Sequence, residues 1–221
     1  MSALLQELKS LIILEWKLEW KQKTALSSIF IYLLSTLFVV YLSVKRVVDI
    51  PTWNALFWLV IIFAAANGVN RSFSSDSKGR MLMMYSLVSP QAFIISRVIY
   101  NSILISLLSL GCIVFYTLFL ENPIQNMALF ILATTLGAIG FSSILTLVNA
   151  IALNTKNSAS MSVILGFPIL LPQLMISLKL SKFAIDGLSA TVYSKYLLSL
   201  GLLDLAILVL ALLLFPYLWR D

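Results

Sequence analysis

Chemistry has few places to sit in this chain. Asp204 stands inside the last apolar run, where a carboxylate costs several kcal/mol unless it is paired, hydrated or protonated. Such a group suits a proton or substrate role, or it bonds one helix to its neighbours. It lies about two helical turns from Tyr196, which makes a near-interface carboxylate bonded to adjacent helices the plainer reading. Asn67, Asn70, Asn101 and Asn149 are further polar residues in or beside apolar runs, and they read as interhelical glue. A second constellation is ILGFPILLPQ, Ile164 to Gln173, with Pro168 and Pro172 four apart. Each proline leaves the carbonyl four residues before it, that of Ile164 or Pro168, without its helical donor. The segment is therefore expected to be a broken helix, with Gln173, water or a facing helix supplying donors.

The third candidate is the connection from Arg71 to Arg97, which contains RSFSSDSKGRMLMMYSLVSPQ. Its first half offers turn and capping residues, Ser74, Ser75, Asp76, Ser77 and Gly79. Its second half, Arg80 to Val88, is apolar enough for a short helix along the membrane face, the kind of element a cytoplasmic ATPase pushes against. A plain solvated loop has no need of Met81, Leu82, Met83, Met84 and Tyr85 in succession.

Several activities find no residues here. Histidine is absent, which removes imidazole bases, His-built zinc sites and the commonest haem ligand. Cys112 is the single cysteine and reads as a small packing residue. No G-x-x-x-x-G-K-[ST] loop is present, so ATP hydrolysis is expected from a separate chain. Neither a catalytic group nor a metal site is assigned, and no cofactor is expected to be held by this chain itself. The net charge of +6 comes from basic residues flanking apolar runs, a pattern that suits membrane topology and not nucleic acid.

Those residues must be positioned by membrane-embedded elements, because 61% of the 221 residues are hydrophobic and only 11% charged, outside the range of soluble domains. The expected fold is all-α: six transmembrane helices preceded by an N-terminal amphipathic interfacial helix. Residues 1–24 form that helix, with Leu8, Ile12, Trp16 and Trp20 at i+4 spacing, and residues 25–221 form one membrane domain. The spans are placed at Ala25 to Val44, Ile50 to Asn70, Val98 to Leu120, Met127 to Leu153, Ala159 to Leu178 and Tyr196 to Leu218. A cleaved signal peptide is not expected, since Glu7, Lys9, Glu15, Lys17 and Glu19 interrupt the N-terminus. With the N-terminus inside, Lys9, Lys17, Lys21, Lys23, Arg71, Lys78, Arg80, Arg97, Lys156 and Arg220 flank the cytoplasmic side. Lys45, Arg46, Lys179, Lys182 and Lys195 flank the other, ten against five, so both termini are expected in the cytoplasm. The proline segment then lies near the non-cytoplasmic side, followed by a surface or re-entrant element through Lys195.

The pattern resembles the CcmB family, the haem exporter protein B subunit of cytochrome c maturation. The resemblance rests on the amphipathic N-terminus, on Arg71, Phe73, Asp76, Gly79 and Pro90 in the first cytoplasmic loop, and on the double-proline run of Ile164 to Gln173. It implies a permease of the type II ABC exporter kind in the bacterial inner membrane. The implied partners are a CcmA-like ATPase, a second copy of the chain, and CcmC-like and CcmD-like membrane proteins. Haem would be a transported or partner-bound ligand, delivered to a periplasmic haem chaperone, and with no histidine any contact to it would be apolar or through Met or Tyr. The resemblance assigns ATPase coupling to Arg71, Phe73, Asp76, Gly79, Arg80, Tyr85 and Pro90, and an outer gate to the broken helix at Pro168, Pro172 and Gln173. Two alternatives to a haem-exporting permease remain: a non-translocating lever that releases the haem-loaded chaperone, and a generic exporter permease for another substrate.

Overall fold

The computed structural model describes residues 2–21, 24–44, 49–74, 84, 87–120, 122–152 and 158–218. Among these residues seven long helices are assigned: α1 (Ser2–Lys21), α2 (Thr24–Val44), α3 (Ile50–Ser74), α4 (Pro90–Phe119), α5 (Met127–Ala152), α6 (Ser158–Ile185) and α7 (Ala190–Leu218). Five of them, α3 to α7, carry stretches long and apolar enough to cross a membrane, and α2 carries a shorter one, Phe30–Leu42. The chain is thus an all-helical membrane protein.

Helix α5 is the hub, packed against α3, α4, α6 and α7. Its sequence explains the position. It has no charged residue, and small residues such as Gly137, Ala138, Gly140, Ser142 and Ser143 let neighbouring backbones come close, the usual basis of helix association in lipid. Around one end of α5 the core is aromatic: Trp53, Phe57, Tyr116 and Phe130 meet in stacked, tilted and edge-to-face pairs with centroids 5.1 to 5.8 Å apart.

The helix ends at this side are tied by short-range chemistry. Asp49 precedes α3, and its carboxylate accepts from the Thr52 amide at 3.3 Å. Bonds from the Thr52 hydroxyl and then its amide hold that carboxyl below the usual carboxylate range. Asn126 caps α5 by accepting from the Leu129 amide, while its own amide donates to the Ala184 carbonyl at the end of α6. Gly187, at φ 66°, takes the left-handed position that ends α6, where a side chain would be strained.

Three expectations change. The proline segment is not broken: α6 runs as one helix from Ser158 to Ile185 with Pro168 and Pro172 inside it. Proline's φ suits a helix, and a membrane helix tolerates the lost donor and the crowding of the preceding turn where packing against neighbours holds it. Both rings face outward, while Gln173, Ser177, Leu180 and Ser181 pack fully inward and hold the helix on course. No re-entrant element follows, because a turn over 186–189 leads directly into α7 and Lys195 lies within that helix. The connection after α3 is also shorter than Arg71 to Arg97, since Arg71 and Phe73 belong to the end of α3 and Pro90 opens α4.

Candidate functional site

Two groups of residues stand out from the apolar background. The first clamps α1 to the start of α4. Ser89 precedes α4 and makes no side-chain bond to its own helix; its hydroxyl instead donates to Glu7 Oε2 at 2.8 Å. Eight residues further along both helices, Arg97 Nη1 lies 3.3 Å from Glu15 Oε2. The constant offset shows the two helices running side by side in the same direction. Arg97 also donates to the Ser72 carbonyl at 2.7 Å, and its guanidinium lies 5.5 Å from the Phe73 ring centre and 5.4 Å from that of Phe93. One buried cation therefore joins the end of α3, the start of α4 and the middle of α1. Stranding either member of a buried ion pair costs about 3–5 kcal/mol. Beside this clamp Met84, within the 75–89 connection, is buried against Leu11 of α1 and Ala92 of α4. Met84 thus ties α1 to the start of α4.

The second group lies at mid-length of three helices. Gly140, Gln173 and Asp204 each fall close to the centre of α5, α6 and α7. Asp204 is 14 residues from either end of α7, or about 21 Å of rise. Gln173 Nε2 donates to Asp204 Oδ1 at 2.9 Å. Both side chains press on the Gly140 backbone, where an added Cβ would overlap them. One turn away Gly137 makes room in the same fashion for the Trp58 ring. Trp58 Nε1 donates to Ser181 Oγ at 2.8 Å, Ser181 Oγ donates to Asn54 Oδ1 at 2.7 Å, and Asn54 Nδ2 donates to the Leu178 carbonyl at 3.0 Å. Polar side chains thus form a seam where α6 meets α3, α5 and α7.

Among the described residues no three His, Cys, Asp or Glu side chains gather where a metal could bind. A family model, that of the CcmB protein, matches residues 6–217. The chain belongs to the CcmB family. No curated protein matches it. Membership gives this CcmB-family chain a role in haem export for cytochrome c maturation, as a membrane component of the Ccm system and a transporter subunit, not an enzyme.

The structure distributes the expected site residues unevenly. Arg71, Phe73 and Pro90 lie near the clamp, at the ends of α3 and α4, with Phe73 against Arg97. Asp76, Gly79, Arg80 and Tyr85 lie outside the described residues. Gln173 and Asp204, read separately from sequence, form one pair, and Asp204 is central in its helix because α7 begins six residues before Tyr196. Asn101 donates across to Thr146 Oγ1 at 2.9 Å, and Asn149 accepts from Ser162. Asn67 bonds only its own helix, to the Phe63 carbonyl. Sequence reading missed Gly137 and Gly140, whose partners are distant in the chain. It also counted Arg97 as a flanking charge, although two hydrophobic neighbours on each side, Ile94, Ile95, Val98 and Ile99, signalled burial.

Proposed function

We propose that this chain is the membrane permease subunit of an ATP-driven complex, and that the 75–89 connection is the surface on which a separate ATPase chain acts. The clamp carries the reading. Met84, packed on Leu11 of α1 and Ala92 of α4, lies in sequence between α3 and α4, whose ends Arg97 joins to Glu15 and the Ser72 carbonyl, so a push at Met84 would reach three helices at once. In this reading residues 1–24 are the interfacial helix and residues 25–221 form six spans of the type II exporter kind, α2 being the first. Both termini and the 75–89 connection face the cytoplasm of a bacterial inner membrane. The lysine and arginine asymmetry supports this: setting aside Arg97, which Glu15 neutralises, nine flanking charges stand against five.

The partners are a CcmA-like ATPase, a second copy of the chain, and CcmC-like and CcmD-like proteins, with haem as cargo bound for a periplasmic chaperone. One observation keeps the lever as a second reading. The mid-length interior is filled by Trp58 in the space at Gly137 and by the Gln173–Asp204 pair on Gly140. Any path for haem would then run between chains and not through this one.

The test uses the full complex with Cys112→Ser as background. A cysteine at Leu87, a residue of that connection that is 68% exposed, should cross-link to the ATPase chain, and one at Leu188, in the turn after α6, should not. A cross-link from Leu188, or none from Leu87, overturns the docking surface.

A further inference from the structure

We propose that Asp204 binds a proton, which closes a cyclic carboxylic acid–carboxamide pair with Gln173 and makes the centre of the bundle a proton-binding site. The bond from Gln173 Nε2 to Asp204 Oδ1 uses one edge of each planar group. The other edges, Asp204 Oδ2 and Gln173 Oε1, are buried and have no hydrogen-bond partner. Gln173 is fully buried and Asp204 is 6% exposed. An ionised aspartate would leave two acceptors with no hydrogen between them, since a carboxylate and an amide oxygen only accept. A single proton on Oδ2 turns one of them into a donor whose acceptor is the other, and both vacancies close together. Buried polar groups are nearly always satisfied in this way.

Among the described residues the surroundings supply no charged donor. Toward one end of the bundle the pair is bounded by Ala133, Leu180 and Leu200, and toward the other by Ile144, Val148 and Ile207. Helix α5 contains no charged residue. The basic residues of α6 are Lys179 and Lys182, about 9 Å or more of helix rise from Gln173; both are exposed, and Lys179 lies over the Tyr196 ring. Helix α7 adds only Lys195, more than two turns away, and α3 only Arg71, in its last turn. Among the described residues no lysine or arginine forms an ion pair with Asp204. Ser177, one turn along α6, is the nearest polar neighbour on that helix, and its hydroxyl also has no partner. The consequence is mechanical: one proton decides whether α6 and α7 are joined by two hydrogen bonds or by one. The site stands on its own geometry and does not depend on where an ATPase docks.

Infrared spectroscopy of the full-length chain in phospholipid nanodiscs, with carboxyl-labelled aspartate, tests this at neutral pH. The expected result is a carbonyl band of a hydrogen-bonded aspartic acid that shifts in heavy water, is lost in Asp204→Asn and moves to higher frequency in Gln173→Leu. Asp204→Asn can still pair with Gln173 through two amides, so it should keep the fold, and the wild-type spectrum is informative without any variant. Only carboxylate bands in the wild type would overturn the proposal. So would loss of the acid band on adding sodium, which would assign the site to an alkali cation.

Discussion

The seam of α6 against α3, α5 and α7 and the flank formed by α2 and α4 solve the same problem differently. The seam holds its helices with directed bonds: Gln173 to Asp204, Trp58 to Ser181, Ser181 to Asn54. The flank has an apolar cleft of about 440 Å³ between Ile31, Leu34, Leu37, Phe38, Phe115 and Phe119. A second, of about 230 Å³, is lined by Trp16, Phe30, Leu33, Tyr100, Leu104 and Phe115. On α2, Ile31, Phe38, Val39 and Leu42 are exposed. In lipid, apolar surface gains little by leaving the tails for another helix, so the 31–42 stretch of α2 rests on shape while the seam is held by bonds with one geometry. Stability is therefore expected to depend more on the polar seam than on the apolar flank.

The sharpest way to break that contrast is to fill the space at Gly140. Gly140→Val places carbon where the Gln173–Asp204 pair sits. It should destabilise the bundle by about 3 kcal/mol, the upper end of ordinary overpacking, seen as a lower melting temperature in detergent and loss of cytochrome c maturation. A melting temperature like that of the wild type would mean that the pair is not seated on α5.

Ser181→Ala is milder. It leaves the Trp58 N–H and the Asn54 Oδ1 without the hydroxyl that joins them, a loss of about 2 kcal/mol for stranded buried polar groups. A thermal melt of the variant beside Asn54→Ala/Ser181→Ala separates the two bonds, and additive losses would show that they do not work as a unit.

The smallest effect is expected on the flank. Phe38→Ala removes a ring that is 59% exposed and lines the larger cleft, and it should change stability by no more than about 0.5 kcal/mol. A loss as large as that of Ser181→Ala would show the cleft to be a packed contact, and the contrast between the two regions would fail.

Periodicity and composition placed four of the six expected spans, while α4 and α7 begin eight and six residues earlier than expected. The starts of α2, α3, α5 and α6 agree with their expected spans to within a residue, because long apolar runs in lipid have only the helix to satisfy their backbone. The family was legible too, in the loop residues from Arg71 to Pro90 and the double-proline run, and the match over residues 6–217 bears it out. Sequence alone misjudged α6, since whether a proline breaks a membrane helix depends on how the neighbouring helices hold the rest of it. There Pro168 and Pro172 point outward and the opposite face is pinned by Gln173 and Ser181. Only the tertiary structure joined Glu15 to Arg97 across 82 residues, Gln173 to Asp204 across 31, and both of the latter to Gly140. Local sequence determines where a backbone can be helical. Which buried polar groups meet depends on helix rotation and depth, and those are settled by packing every helix at once.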